Sequence, residues 1–121
     1  MKNLVEWFDI ATTDIERAKK FYSKVFNLEF QLLDMPDSKM YMFGDSGQIG
    51  AAGCLVQSKT NKPSSDGVII YFSCEDVSIE SNCIVEAGGK ILFPKTNIGE
   101  FGYISQFIDT EGNRMGLHSN K

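Results

Sequence analysis

Histidine is almost missing from this 121-residue chain, which carries a single one, His118. A centre that needs two or more imidazoles, for metal ligation or proton transfer, is therefore excluded. Cysteine is also scarce: Cys54, Cys74 and Cys83 are odd in number and lack the CxxC spacing of a zinc site or redox pair, so free, mostly buried thiols are expected. No apolar run approaches the roughly 20 residues of a transmembrane helix. The N-terminal stretch through Trp7 lacks the apolar core of a secretory signal, and a cytoplasmic protein without a membrane partner is the expectation. There is no block of like charge. The net charge of -4, with Arg17, Lys19 and Lys20 interleaved with Asp14 and Glu16 on one helix pattern, argues against a nucleic-acid partner. Neither a GxSxG elbow, a GxxxxGK[ST] loop nor a GxGxxG turn occurs, and the glycines at 44, 47, 50 and 53 lack the lysine or helix start of a phosphate cradle.

What the chain does have is a pattern stated twice at an offset of 62 residues, from Asp14 to Asp76. Trp7-Phe8-Asp9-Ile10 leads into Asp14-Ile15-Glu16 and a helical pattern ending at Asn27. Ile69-Ile70-Tyr71-Phe72 leads into Asp76-Val77-Ser78 and a helical pattern ending at Gly88-Gly89. Such a duplication implies a pseudo-two-fold fold in which equivalent inward-facing positions converge on one cavity.

Thr13-Asp14-Ile15-Glu16 fits a capping box with Thr13 as N-cap, and Ile15, Ala18, Phe21, Tyr22 and Val25 recur at helical spacing. In the second half Asp76 is the expected N-cap, with Val77, Cys83, Ile84 and Ala87 on the buried face. Both helices are expected to run about three turns. Strands are expected over 4–10, 29–33, 39–43, 50–56, 67–73, 90–94, 103–108 and 114–118, with turns at 34–37, 44–47 and 109–113. Each half reads βαβββ. The chain is expected to be one α+β domain over 1–121: module 1 to about 57, a linker over about 58–66, and module 2 from about 67. Its curved mixed sheets are expected to enclose a partly open, barrel-like cavity.

The two modules, the helix start Asp14-Ile15-Glu16-Arg17-Ala18-Lys19-Lys20-Phe21-Tyr22 and the hairpin Asp109-Thr110-Glu111-Gly112-Asn113-Arg114 resemble the vicinal oxygen chelate superfamily. This is the group of glyoxalase I, bleomycin-resistance proteins, fosfomycin-resistance enzymes and extradiol dioxygenases. The resemblance implies a divalent ion held by side chains from the first and last strands of each module. It also implies a homodimer whose partner shares or completes the cavity. Counted from Asp14, Asp76 and Asp109, the metal-ligand positions fall at Trp7, Ile69 and Gly116, with the fourth within Ala51-Ala52-Gly53. None of these side chains ligates a metal, so no metal and no cofactor are expected.

What remains is a cavity of aromatic character. Strand alternation puts Trp7 and Asp9 on one face of the first strand, Ile69 and Tyr71 on the matching face of the fifth, and Arg114, Gly116 and His118 on that of the eighth. Trp7 and Tyr71, with Asp9, Ile69, Tyr103, Arg114 and His118 around them, suit a planar or apolar small-molecule ligand. The alternative is structural: Trp7 and Tyr71 fill the space of a metal, and Asp9 pairs with Arg114. His118 has a base's ordinary pKa but lies three residues from the end of the sequence, where an exposed histidine without catalytic duty is the plainer reading. A Cys54–His118 nucleophilic pair is a further alternative.

Three functions are consistent with these residues. The favoured one is binding of a small organic molecule without metal. The second is a small-metabolite lyase or isomerase with Asp9 or His118 as base, and the third is a homodimeric interaction module.

Overall fold

The computed structural model describes residues 2–45 and 47–121. Ser46, in the turn expected at 44–47, lies outside the described residues, as does Met1. The chain forms β1 (Trp7–Ala11), α1 (Ile15–Phe26), β2 (Gln31–Met35), β3 (Ser38–Phe43) and β4 (Ala52–Gln57). It then repeats the order as β5 (Tyr71–Ser73), α2 (Val77–Ser81), β6 (Lys90–Asn97), β7 (Tyr103–Ile108) and β8 (Arg114–Ser119). Two open, four-stranded mixed sheets result, ordered β1-β4-β3-β2 and β5-β8-β7-β6. The architecture is α+β with two βαβββ halves.

The duplication holds at the level of single hydrogen bonds. Thr12 N donates to Val56 O at 2.8 Å, and 62 residues on Cys74 N donates to His118 O at 2.8 Å. The first helical N–H is held in each half by the last side chain of the preceding sheet's final strand: Ile15 N donates to Gln57 Oε1 and Val77 N to Ser119 Oγ. In both pairs the orphan donor of a helix start is satisfied across the fold rather than locally.

Helix α1 buries Ile15, Ala18, Phe21, Tyr22 and Val25, the five residues its spacing predicts, and ends at Asn27 in the left-handed region (φ 51°). Its N-cap is Asp14, whose carboxylate accepts from Arg17 N, and not Thr13. The reason is Glu111, which reaches over from the β7–β8 hairpin and accepts from both Thr13 N and Asp14 N. Glu16 is drawn away from the box to Lys39 and Tyr41. Helix α2 is shorter than its pattern predicts. It stops at Ser81 and continues as turns to Gly88, because Ser78, Ser81, Asn82 and β-branched Ile79, Ile84 and Val85 are poor helix formers. A short 3-10 turn over Gly99–Phe101, which no motif predicts, joins β6 to β7.

The helix-facing sides of both sheets share one core. Phe72 packs against Phe26 (ring centroids 4.8 Å), Phe43 and Tyr22, so an aromatic cluster crosses from one half to the other. Tyr22 Oη donates to Asp109 Oδ2 at 2.6 Å, and Asn113 Nδ2 donates to that carboxylate and to Ala11 O. Burial first, then the Asp109 charge, raises the Tyr22 phenol well above its ordinary value. Among the described residues no helix is long and apolar enough to cross a membrane.

Candidate functional site

Alternation along β1 turns Phe8 and Ile10 into the core and leaves Trp7 and Asp9 on the opposite sheet face, with Trp7 41% exposed. The parallel ladders then fix what stands beside them. Asp9 pairs with Cys54, and its 62-residue counterpart Tyr71 pairs with Gly116. Cys54 is therefore the counterpart of Gly116, and the expectation that this position lies within Ala51–Gly53 is corrected. The loop at 44–51 is longer than that at 109–113, which hides the match when residues are counted across the hairpin. Gly53 lies on the core face instead, where an added Cβ would stand 2.4 Å from the Phe8 carbonyl oxygen.

The residues at the four positions where the resemblance implies metal ligands are thus Trp7, Cys54, Ile69 and Gly116. Cys54 alone offers a donor atom, and burial together with the neighbouring Asp9 raises its thiol pKa, which favours the protonated form. The space beside Gly116 is taken by the Tyr71 ring, 2.3 Å from where a Cβ would sit. Among the described residues no group of three or more His, Cys, Asp or Glu is placed to hold a metal. This donor set does not fit a divalent ion.

Trp7, Asp9 and Arg114 line one groove of about 390 Å³, whose outer wall is built by Asn61, Lys62, Ser64 and Asp66. That wall is the stretch expected to be a linker, and Ser64 N pins it by donating to Asn113 Oδ1. Within the groove Trp7 Nε1 donates to Asp9 Oδ1 at 3.1 Å. Arg114 does not pair with Asp9. Its Nε donates to Gln106 Oε1 at 2.9 Å, and Gln106 Nε2 donates to Tyr71 Oη at 2.5 Å. Gln106, only 6% exposed, links two expected site residues and was not itself expected. Its signal was legible as the β7 position opposite Gly116 in the hairpin ladder. The relay fixes the Arg114 guanidinium through its Nε.

Other expected residues lie elsewhere. Ile69 lines a second cavity described below. Tyr103 and His118 stand further along the β7–β8 ladder: Lys95 Nζ covers the Tyr103 ring at 4.5 Å, and His118 Nε2 bonds Phe101 O at 2.6 Å. Cys54 and His118 belong to different sheets, so the structure does not assemble them as a nucleophilic pair.

The fold and this site define a duplicated βαβββ domain whose sheet faces away from the helices carry aromatic, acidic and amide groups. The family model of the glyoxalase/bleomycin resistance protein/dioxygenase superfamily matches residues 4–117, and the chain belongs to that superfamily. It is 34% identical over 117 residues to a glyoxylase-like domain-containing protein of Didymella fabae, covering 93% of this chain and 91% of the relative. Among solved structures, a glyoxalase I variant from Zea mays superposes with a TM-score of 0.77 at 23% identity, over 95% of this chain. This chain spans 46% of the maize chain. A glyoxylase/bleomycin resistance protein/dioxygenase domain from Frankia covers 100% of both chains with a TM-score of 0.73 at 15% identity. These likenesses establish the fold.

Proposed function

We propose that this protein binds a small organic molecule without metal in the groove between Trp7 and Arg114. The observation that carries the reading is the joint presence there of a half-exposed indole and a guanidinium held by Gln106, at positions where the family places its ligand face. The indole stacks a planar portion and Arg114 pairs with an anionic or carbonyl oxygen. A volume of about 390 Å³ suits a compact metabolite. We take residues 1–121 as one domain of two modules joined at about 58–66, acting in the cytoplasm as a homodimer. Light scattering checks the assembly: a monomeric mass at micromolar concentration overturns it.

Two measurements test the binding reading. Quenching of the single tryptophan by a panel of aromatic carboxylates is expected to saturate for at least one of them and to be lost, tenfold or more, in Arg114→Ala. No saturable member in a broad panel sinks the proposal. Nickel, zinc, manganese or iron at micromolar concentration is expected to leave the melting temperature unmoved, and a rise of several degrees sinks the metal-free part.

A second reading is a lyase or isomerase step with Asp9 as base, favoured by the name of the Didymella relative and by Asp9 standing in the same groove as Arg114. It requires turnover of an identified ligand that falls at least a hundredfold in Asp9→Asn. Unchanged turnover in that variant overturns it.

A further inference from the structure

The pseudo-two-fold axis relates two junctions between the halves, and they are built differently. At one, the hairpin at 109–113 fills the gap with Asp109, Glu111 and Asn113, which bond to Tyr22, to the start of α1 and to Ala11 O. At the other, the 62-residue counterpart of Asn113 is Ala51, next to Gly50, and the counterpart of Tyr22 is Ile84. Those side chains donate and accept nothing. A cavity of about 690 Å³ is left open there, walled by Phe8, Phe26, Phe43, Phe72 and Ile70.

One charged side chain lines this cavity, Glu80. It occupies the α2 position equivalent to Ala18 of α1, which is fully buried, so a carboxylate stands where the helix register calls for core. Its Oε1 is sealed from solvent and has no hydrogen-bond partner among the described residues. A buried carboxylate oxygen without a donor carries a desolvation cost that a ligand donor would remove. Cys74 stands beside Glu80 as a neutral thiol and is a weak donor to the carboxylate, leaving Oε1 unmet: burial first, then the Glu80 charge and the hydrogen bond to Glu80, push the thiol up to about 12.

We propose that this cavity is a second ligand site, for a compact hydrophobic amine whose ammonium meets Glu80 while its apolar body lies among Phe26, Phe43 and Phe72. The aromatic walls favour such a cation over a neutral isostere through their ring faces as well as their area. The site adjoins the Trp7–Arg114 groove, sharing Val5, Phe8, Val68 and Ile70 with it as walls, while Glu80, Phe26, Phe43 and Phe72 line this cavity and not the groove.

The test uses 2-phenylethylamine as probe, titrated into the full chain and followed by calorimetry and by amide chemical shifts. Saturable binding is expected, with shifts at Phe26, Phe43 and Phe72. Glu80→Gln is expected to weaken it at least tenfold, whereas 2-phenylethanol binds both proteins alike and more weakly. Ala51→Asn, which rebuilds the side chain of the occupied junction in the open one, is expected to abolish binding even where Glu80→Gln fails to fold. Equal affinity of Glu80→Gln and the parent for the amine overturns the proposal. So does equal affinity of the parent for amine and alcohol, or chemical shifts confined to the Trp7 groove. That last outcome would leave the groove reading standing, and loss of carboxylate binding at Arg114 would leave this one standing.

Discussion

The two halves of the molecule keep the same skeleton and wear different faces. Main-chain bonds recur at the 62-residue offset, as in Thr12 to Val56 and Cys74 to His118, and so do the bonds from Gln57 and Ser119 that hold the helix starts. On the sheet faces turned away from the helices, by contrast, Trp7, Asp9, Cys54 and Met42 have as counterparts Ile69, Tyr71, Gly116 and Gln106 in the equivalent ladder positions. Backbone bonding constrains the frame because an unmade buried bond is costly in either half. The face-borne side chains answer only to what they touch, and they have diverged into an aromatic and acidic half and an amide and phenol half.

The strongest way to break this comparison is at the one-sided clamp. Glu111, with its side chain shut off from solvent, accepts from Thr13 N, Asp14 N and the Arg17 guanidinium. Glu111→Ala is expected to destabilise by roughly 3 kcal/mol, since it strands two backbone donors and a charge that is itself half exposed. Urea denaturation reads this directly, and a loss below about 1 kcal/mol would mean that the clamp is ornamental.

Next in size is a pair of glycines on matching strands. An added Cβ at Gly53 meets the Phe8 backbone, which has nowhere to go, whereas one at Gly116 meets only the Tyr71 ring. Gly53→Ala is expected to cost about 2–3 kcal/mol and Gly116→Ala about 1 kcal/mol, with Tyr71 displaced from its bond to Gln106. Thermal melts that rank them in the opposite order would refute the assignment of faces.

The helix-start bonds give a smaller contrast. Ser119, 1% exposed, is expected to lose about 1 kcal/mol on replacement by Ala, and exposed Gln57 only a few tenths.

Smallest is the acid response. Side-chain and backbone bonds from Ser78, then Lys95, hold Asp76 down at about 2 against an ordinary 3.8, and Glu111 also lies below its ordinary 4.5 because bonds from Arg17, Asp14 and Thr110 outweigh its desolvation. With folded values depressed, the unfolded chain binds the extra protons. This stability is therefore complete above about pH 4.5 and is lost as pH falls toward 2. Glu111→Gln should flatten the upper part of that decline, and an unchanged profile would place the acid sensitivity elsewhere.

How legible this was from residues alone depended on range. Helix α1, its buried face and its Asn27 stop follow from contacts three and four residues apart, and β7 from its aromatic and β-branched residues, so each is readable locally. The family motif picked out Trp7 and strand alternation Asp9 and Arg114, and the three line one groove. What escaped was decided across the chain. The N-cap moved from Thr13 to Asp14 because of a carboxylate 97 residues away from Asp14. Gln106 acquired its place from hairpin register, and residues 61–66 became a wall because Asn113 anchors Ser64. Helix α2 shortened for a local reason, its serines and β-branched residues, which the apolar spacing masked.

The clamp also sets an order in time. Arg17 and its partner Glu111 are 94 residues apart, so at ordinary elongation rates of about 5–20 residues per second the first helix leaves the ribosome roughly 5–20 s before the residue that satisfies its opening turn. During that interval the opening turn of α1 lacks the acceptor that completes it, and until residue 72 emerges Phe26 and Phe43 lack the ring that will cover them. The chain is thus committed to completing its first half last.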